Sequence, residues 1–175
     1  MTTLGRPDAT EYAHYYERYI ALIPDGDIAS ILERQRDSTA AMLAGLSEDQ
    51  GNYRYAPDKW ILKDVVCHVT DTERVFSYRA VHFARGDETP LPSFDEKVWA
   101  PQSGAAARTL KSLTDELVAV RNASLALIRS LTPEQAMRRG VASGMEVSVR
   151  ALAWKMAGHM EHHVHVLKER YLRTS

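Results

Sequence analysis

Cysteine is nearly absent from this sequence, because Cys67 is the only one among 175 residues and no internal disulfide can form. The first segment, MTTLGRPDATEY, lacks the basic and apolar regions of a secretory signal. No uncharged apolar run approaches the ~20 residues that a membrane-spanning helix needs. These absences predict a cytoplasmic protein without a membrane segment.

An excess of charge of either sign is also missing. Lys and Arg number 22 and Asp and Glu number 23, so the formal net charge is −1 with neutral histidines. A chain with so little net charge lacks the electrostatic field that collects phosphate groups. We therefore expect neither nucleic acid nor an anionic membrane as its main partner.

Glycine and proline are scarce, at 9 and 7 residues, where average usage would give about 21 in total. This scarcity favours long, uninterrupted helices over a turn-rich β protein. The length is typical of one domain, and the 45% hydrophobic content is enough for a substantial core. We expect a single helical domain over residues 1–175.

Four segments repeat apolar residues at three- and four-residue steps, the pattern of a helix buried on one face. They are residues 25–46, 60–85, 105–131 and 148–171. The fold class predicted from them is all-α, a four-helix bundle. The stretch EYAHYYERYI predicts a short extra helix, and Thr132-Pro133-Glu134-Gln135 has the N-cap, first-turn proline and capping-box glutamine of another.

Residues 86–104 separate the second and third predicted helices and carry several helix breakers, which predicts a long loop. These are Gly86, Pro90, Pro92, Pro101 and Gly104. Fully extended, this loop could cover ~60 Å, whereas the flanking helices are only about 37 Å long. It can therefore return along the whole bundle, which makes the second and third helices parallel in an up-down-down-up arrangement.

Four of the seven histidines lie between His159 and His165. His159 and His163 are four residues apart, so both imidazoles share one helix face and can reach a single metal ion. That face is the apolar stripe of the last helix, and His68 occupies an equivalent position on the second. Three inward histidines on two helices predict a three-ligand metal site with open positions.

Two alternatives to this ligand set stay open. An inward histidine can instead be a core residue that is hydrogen-bonded to a carbonyl group or water, and His162 can replace His163 as the partner of His159 at i, i+3 spacing. The segment is not a zincin HExxH motif, because Glu161 does not follow the first histidine directly and lies on another face. No catalytic base is therefore assigned.

Polar residues that interrupt apolar stripes at middle depth predict a cavity beside the ion. These are Gln35 and Thr39 on the first helix and Ser124 on the third. Asp71 and Thr72, which follow His68 by three and four residues, are expected to line the pocket or orient a ligand. The alternatives are hydrogen bonds to helix carbonyls for the first set and a solvated surface for the second.

Two long blocks resemble the DinB/YfiT-like superfamily, and the resemblance extends over residues 28–171. They are KWILKDVVCHVTDTERVFSYRAVHFARGDETPLPSFD and SVRALAWKMAGHMEHHVHVLKERYL. The resemblance implies a four-helix bundle with a long crossover, and a metal held by one histidine of the second helix and a pair four residues apart on the last. The matching positions here are His68, His159 and His163. It also implies a homodimer.

The resemblance further implies a metal-dependent enzyme, because relatives include S-transferases and a maleylpyruvate isomerase that use low-molecular-weight thiols. Thiol transfer to an electrophile is the first expectation, hydrolysis at the same site is the alternative, and a non-catalytic metal-binding, stress-associated bundle is a third possibility. Zinc is the expected ion, with nickel as the alternative after recombinant purification. Because ligation needs neutral imidazoles, affinity is expected to fall below a pH of about 6.5.

Overall fold

The computed structural model describes residues 4–172, which fold mainly as helices. The α-helices are α1 (Glu17–Ile20), α2 (Ile28–Ala44), α3 (Glu48–Asn52), α4 (Leu62–Ala84), α5 (Glu96–Gln102), α6 (Leu110–Ser130), α7 (Pro133–Met137) and α8 (Val149–Val166). Two strands, β1 (Arg139–Ala142) and β2 (Met145–Ser148), form an antiparallel hairpin. The ends of the predicted domain, residues 1–3 and 173–175, lie outside the described residues.

The long helices α2, α4, α6 and α8 are those that the apolar stripes predict, and the starts of three of them follow from side-chain caps. Asp27, Thr109 and Ser148 cap α2, α6 and α8, each accepting a hydrogen bond from a backbone N–H of the first turn. The predicted capping box of Thr132 and Gln135 is present at α7. Helix α6 begins later than predicted because Thr109 is its cap and a short 3₁₀ turn precedes it.

Helices α4 and α6 run parallel to each other. Ser77 Oγ lies 2.7 Å from Ser124 Oγ, and earlier in both helices Arg74 pairs with Glu116, so the partners advance together. Each of α4 and α6 has one further long neighbour: α4 packs on α8, and α6 packs on α2. The four-helix bundle with its crossover between the second and third long helices is confirmed.

The bundle core consists of two apolar clusters with buried polar residues between them. One cluster contains Leu32, Phe76 and Leu152, and the other contains Leu43, Val66 and Leu117. On each long helix the boundary between the clusters carries polar side chains. They are Gln35 and Thr39 on α2, His68, Thr72 and Glu73 on α4, Arg121 and Ser124 on α6, and His159 and His163 on α8. We call this set the polar layer.

The crossover and the hairpin depart from the sequence-based prediction. Residues 86–104 contain helix α5 instead of being loop throughout, because Asp95 caps it by accepting from the backbone N–H of Lys97. The hairpin turns through Ser143 and Gly144, whose φ angles of 56° and 74° suit a two-residue primed turn. Leu91 of the crossover forms a β-bridge with the hairpin, which ties the two segments together.

None of the helices within residues 4–172 combines the length and low polarity that a bilayer crossing requires.

Candidate metal centre and its cavity

Three histidine side chains converge in the polar layer. His68 projects from α4, and His159 and His163 project from successive turns of α8. His159 Nε2 lies 3.2 Å from His68 Nε2 and 3.2 Å from His163 Nε2. One ligand atom from each ring lies within 4.8 Å of the other two.

This spacing fits a shared metal ion better than a set of core hydrogen bonds. With metal–nitrogen bonds of about 2.0–2.1 Å, neighbouring ligands are separated by roughly 2.8–3.0 Å in octahedral geometry and roughly 3.3–3.4 Å in tetrahedral geometry. The single nitrogen of His159 faces two other imidazole nitrogens, and at most one hydrogen bond can use its proton or lone pair. The donor set therefore fits a divalent ion.

Burial also sets the protonation state of the three rings. It lowers the pKa of His68, and burial together with the charges of neighbouring histidines lowers the pKa of His159 well below its usual range. The same causes lower the pKa of His163 to about 3. All three rings are thus neutral near pH 7, which is the ligating form. Because burial weakens proton competition, an ion held by these rings would be released at a lower pH than the 6.5 expected from an ordinary histidine.

Aromatic rings surround the three histidines. The Trp60 ring centroid lies 5.1 Å from that of His68, and the Phe76 and Tyr19 centroids lie 6.1 and 5.9 Å from that of His159. These contacts hold the imidazoles between flat apolar surfaces. Trp60 precedes the first residue of α4, and its ring forms a wall of the site.

A cavity of about 480 Å³ opens beside the three histidines, a size that accommodates a small organic molecule. Its aromatic walls are Tyr15, Tyr16, Tyr19, Trp60, Phe76 and Phe94. Its other polar residues are Arg18, Thr72, Arg79, Ser93, Glu96, Ser143, Lys155 and His162. Helix α1 reaches this position because Gly158 of α8 leaves room for the Tyr19 carbonyl, with which any side chain would collide.

His162 contributes to the cavity wall and not to the convergent set. Its ring centroid lies 5.0 Å from that of His163 and 5.4 Å from that of Tyr19. Among residues 4–172, the convergent set is His68, His159 and His163. The structure therefore favours His163 over His162 as the partner of His159.

Thr72 lines the cavity as the sequence predicts, and its buried hydroxyl has no hydrogen-bond partner among residues 4–172. Gln35, in contrast, does not line it. Its Nε2 donates to Ala157 O at 3.1 Å and to Glu161 Oε2 at 2.9 Å, so it joins α2 to α8 outside the cavity. The prediction that Gln35 lines the cavity is therefore wrong, because its side-chain amide is bonded to α8.

Thr39, Asp71 and Ser124 also lie outside this cavity, which corrects their predicted place. The Thr39 hydroxyl faces the sulfur of Met160 at 3.9 Å, within the packed core. Asp71 pairs with Arg74 near the surface. The hydroxyl of Ser124 bonds to a backbone carbonyl of its own helix, which is the alternative that the sequence left open.

Two cavity cations were missed in the sequence, although their positions carried a signal. Lys155 precedes His159 by one helical turn, and Arg79 lies on the same stripe of α4 as His68. Each is only 3% exposed. Lys155 Nζ lies 3.3 Å from the centroid of the Tyr16 ring. Burial, and secondarily the charge of Arg79, lower the pKa of Lys155 to about 7.

The comparisons with known proteins establish the class. A family model described as the DinB superfamily matches residues 31–167, and the chain therefore belongs to the DinB superfamily. This membership confirms the resemblance found in the sequence.

Two particular proteins are similar to this chain. YfiT from Bacillus subtilis, described as a probable metal-dependent hydrolase with an unusual four-helix bundle topology, superposes with a TM-score of 0.66 over 96% of this chain and 94% of its own, at 18% identity. That likeness shows a shared fold. A protein of Oceanobacillus iheyensis with the provisional name of metal-dependent hydrolase is 28% identical over 125 residues, 70% of this chain and 71% of its own.

Proposed function

We propose that this protein is a metal-dependent enzyme that hydrolyses a small molecule, with the ion held by His68, His159 and His163. The observation that carries the proposal is the convergence of three neutral imidazole nitrogens on the wall of a cavity of about 480 Å³. The names of the two similar proteins support hydrolysis as the reaction class.

The chemistry of such an ion is well defined: held by three neutral ligands, it keeps its full positive charge and supplies a Lewis acid and a water of lowered pKa. The chain supplies the remainder of the site. The aromatic walls restrict bulk water and orient a flat or apolar part of the substrate. Thr72 offers a hydroxyl that has no hydrogen-bond partner in the described part of the chain, placed one turn from His68.

Glu96 is the acid that we assign to the mouth of the cavity. It is an exposed residue of α5, and its charge acts on His68, whose pKa it raises against the larger effect of burial. A carboxylate at this position can accept a proton from a water in the cavity. The crossover, which only tertiary structure brings over the histidines, thus provides a candidate general base.

Transfer of a low-molecular-weight thiol, the finer reaction implied by the resemblance, would use the same ion and cavity. Zinc remains our expected resident ion, with nickel as the alternative after purification. The homodimer, the cytoplasmic location and the absence of a nucleic-acid partner also remain predictions. Light scattering of the purified chain, whose monomer mass is 19.7 kDa, measures the first of them.

The ligand set is tested with His159→Ala, purified without a histidine tag and analysed by elemental mass spectrometry. We expect about one divalent ion per chain in the unaltered protein and an affinity loss beyond the 10–100-fold that removal of an outer hydrogen-bond partner causes. His165→Ala is the matched control, because His165 is half exposed and pairs with Glu161. Full metal retention in His159→Ala would show that the ion is bound elsewhere.

The reaction is tested with a panel of esters, amides and electrophiles, each with and without an added thiol. Hydrolysis predicts product without thiol, loss of activity in EDTA and recovery with zinc. Product that forms only with thiol would assign the transferase reaction instead. Stoichiometric metal without turnover on either panel would favour the non-catalytic metal-binding bundle.

A further inference from the structure

The inner end of the cavity contains two buried cations that no acid neutralises. Lys155 and Arg79 both line it, and among residues 4–172 neither has a carboxylate partner. Glu96 is the only acid among the described lining residues, and it is exposed on α5, where its charge acts on His68. Positive charge is therefore concentrated at the end of the cavity away from its acid.

Helices α4 and α8 are antiparallel, so Arg79, which comes after His68 on α4, and Lys155, which comes before His159 on α8, lie on the same side of the histidines. The rings of His68 and His163 lie 4.9 Å apart between centroids, and further along α4 Phe76 lies 4.9 Å from Lys155 Nζ. Lys155 precedes His159 by one turn, a rise of about 6 Å. Lys155 thus lies one turn from His159, and Arg79, which follows His68 by about three turns of α4, lines the same cavity.

Arg79 is held in place while part of its guanidinium remains available. Its Nη2 donates to Pro92 O at 2.7 Å and to Ser143 Oγ at 3.0 Å, which fixes the side chain between the crossover and the hairpin turn. Its Nε and Nη1 have no hydrogen-bond partner among residues 4–172. A guanidinium with free N–H groups beside an ammonium matches a carboxylate in charge and geometry.

The ammonium of Lys155 is also unsatisfied as a hydrogen-bond donor. It lies over the Tyr16 ring and near Phe76, and it makes no hydrogen bond to a described oxygen. A cation–π contact replaces only part of the hydration that burial removes from an ammonium group. Two desolvated cations in one cavity repel each other, and an anion between them would relieve both costs.

We propose that Lys155 and Arg79 form an anion subsite, which binds a carboxylate or another singly charged acidic group of the substrate. This inference rests on the proposed function, because it assigns a substrate class to the same cavity. The substrate is then a small organic acid whose anionic group lies at the Lys155 end of the cavity, one helical turn from His159. The three histidines would hold the ion beside the reacting bond, and the two cations fix the orientation of the molecule.

The test measures binding of benzoate and benzamide to the zinc-loaded full-length chain by isothermal titration calorimetry. The two probes have nearly the same shape, and only benzoate carries a charge. We expect benzoate to bind at least tenfold more tightly than benzamide. Equal affinities, or no detectable binding of benzoate, would overturn the anion subsite. This comparison needs no altered residue, so it stays decisive even if a variant fails to fold.

Variants then locate the benzoate. Lys155→Met keeps the length of the side chain and removes its charge, and we expect at least a tenfold loss of benzoate affinity with unchanged zinc content. Lys111→Met is the matched control, because Lys111 is 82% exposed on α6 and pairs with Asp115. Unchanged benzoate affinity in Lys155→Met would show that the anion binds elsewhere.

A third variant separates failure of this proposal from failure of the metal site. His159→Ala is expected to lose zinc but to keep the preference for benzoate over benzamide, because the two cations remain. If His159→Ala loses the preference for benzoate over benzamide, and Lys155→Met binds benzoate with wild-type affinity, benzoate binds to the metal ion. That result would overturn the anion subsite. If His159→Ala retains zinc while Lys155→Met loses at least tenfold in benzoate affinity, only the assignment of the metal ligands is contradicted.

Discussion

The buried polar groups of the bundle differ between its two sides, because an ion pair neutralises the buried charge on one side and a cavity opens on the other. On the α2, α4 and α6 side, Arg121 is fully buried and donates from Nε to Glu73 Oε1 and from Nη2 to Glu73 Oε2, both at 2.7 Å. Its Nη1 donates to Leu32 O at 3.0 Å. One guanidinium therefore joins three helices, and each of its nitrogens has a partner. We call this the closed side.

On the α4 and α8 side, the polar groups face the cavity without such partners. Thr72 Oγ1 and His163 Nδ1 are buried without a hydrogen bond from residues 4–172, and Lys155 has no counter-charge there. An unpaired buried polar group costs about 1–3 kcal/mol. We call this the open side. The difference indicates that the closed side specifies the fold, whereas the open side retains unmet interactions that a bound ion and substrate can satisfy.

The largest expected effect on stability comes from a substitution on the closed side. Glu73→Gln keeps the size of the side chain and removes its charge, which leaves Arg121 buried without a counter-ion. We expect the free energy of unfolding, measured by urea denaturation, to fall by about 3–5 kcal/mol. Asp115→Asn, at the exposed pair with Lys111, is the control and should cost under about 1 kcal/mol. Similar losses in both variants would remove the distinction between the two sides.

The second effect is a pH dependence of the free energy of unfolding, which arises from the open side and is measured in metal-free protein. Unfolded histidine binds a proton below a pH of about 6.5, whereas burial keeps the pKa of His163 at about 3 in the folded chain. Between these values the unfolded state holds more protons, so stability falls as the pH falls.

For His163 alone we expect a loss of roughly 2 kcal/mol in the free energy of unfolding between pH 6.5 and pH 5. Urea denaturation of the EDTA-treated protein at both pH values measures it, and His163→Gln should reduce the difference. A stability that does not change over this interval would mean that His163 can be protonated in the folded chain.

The smallest expected effect is an increase in the free energy of unfolding. Lys155→Met removes a desolvated charge that repels Arg79, and we expect the free energy of unfolding to rise by about 1 kcal/mol while benzoate binding is lost. Thermal unfolding monitored by circular dichroism measures the change. Destabilisation comparable to that of Glu73→Gln would place Lys155 with the residues that hold the fold.

The sequence predicted the parts of the site that depend on helical periodicity. His68, His159 and His163 were placed together because each interrupts an inward apolar stripe, and a stripe defines which face turns to the core. Gln35 and Ser124 interrupt stripes in the same way, yet they bond to neighbouring helices or to their own carbonyls. Periodicity gives the face of a helix, but not the partner across from it.

Other features depended on contacts between distant segments. Glu96 reaches the cavity because the crossover folds back over the histidines, and Ser143 reaches Arg79 because a hairpin follows α7. The dipeptide Ser143-Gly144 between short runs was a local signal for that hairpin. Its strands are only four residues long and too short to show a clear two-residue period.

By itself, the sequence determined the all-α class, the four long helices, the capping box of Thr132 and Gln135, and the candidate ligands, because these depend on the spacing of residues along one helix. Tertiary structure alone decided that Arg121 is neutralised by Glu73 while Lys155 and Arg79 line a cavity and have no carboxylate partner among residues 4–172. The physical reason is that the free energy of a buried charge depends on what lies within a few ångströms of it, and those neighbours come from other helices.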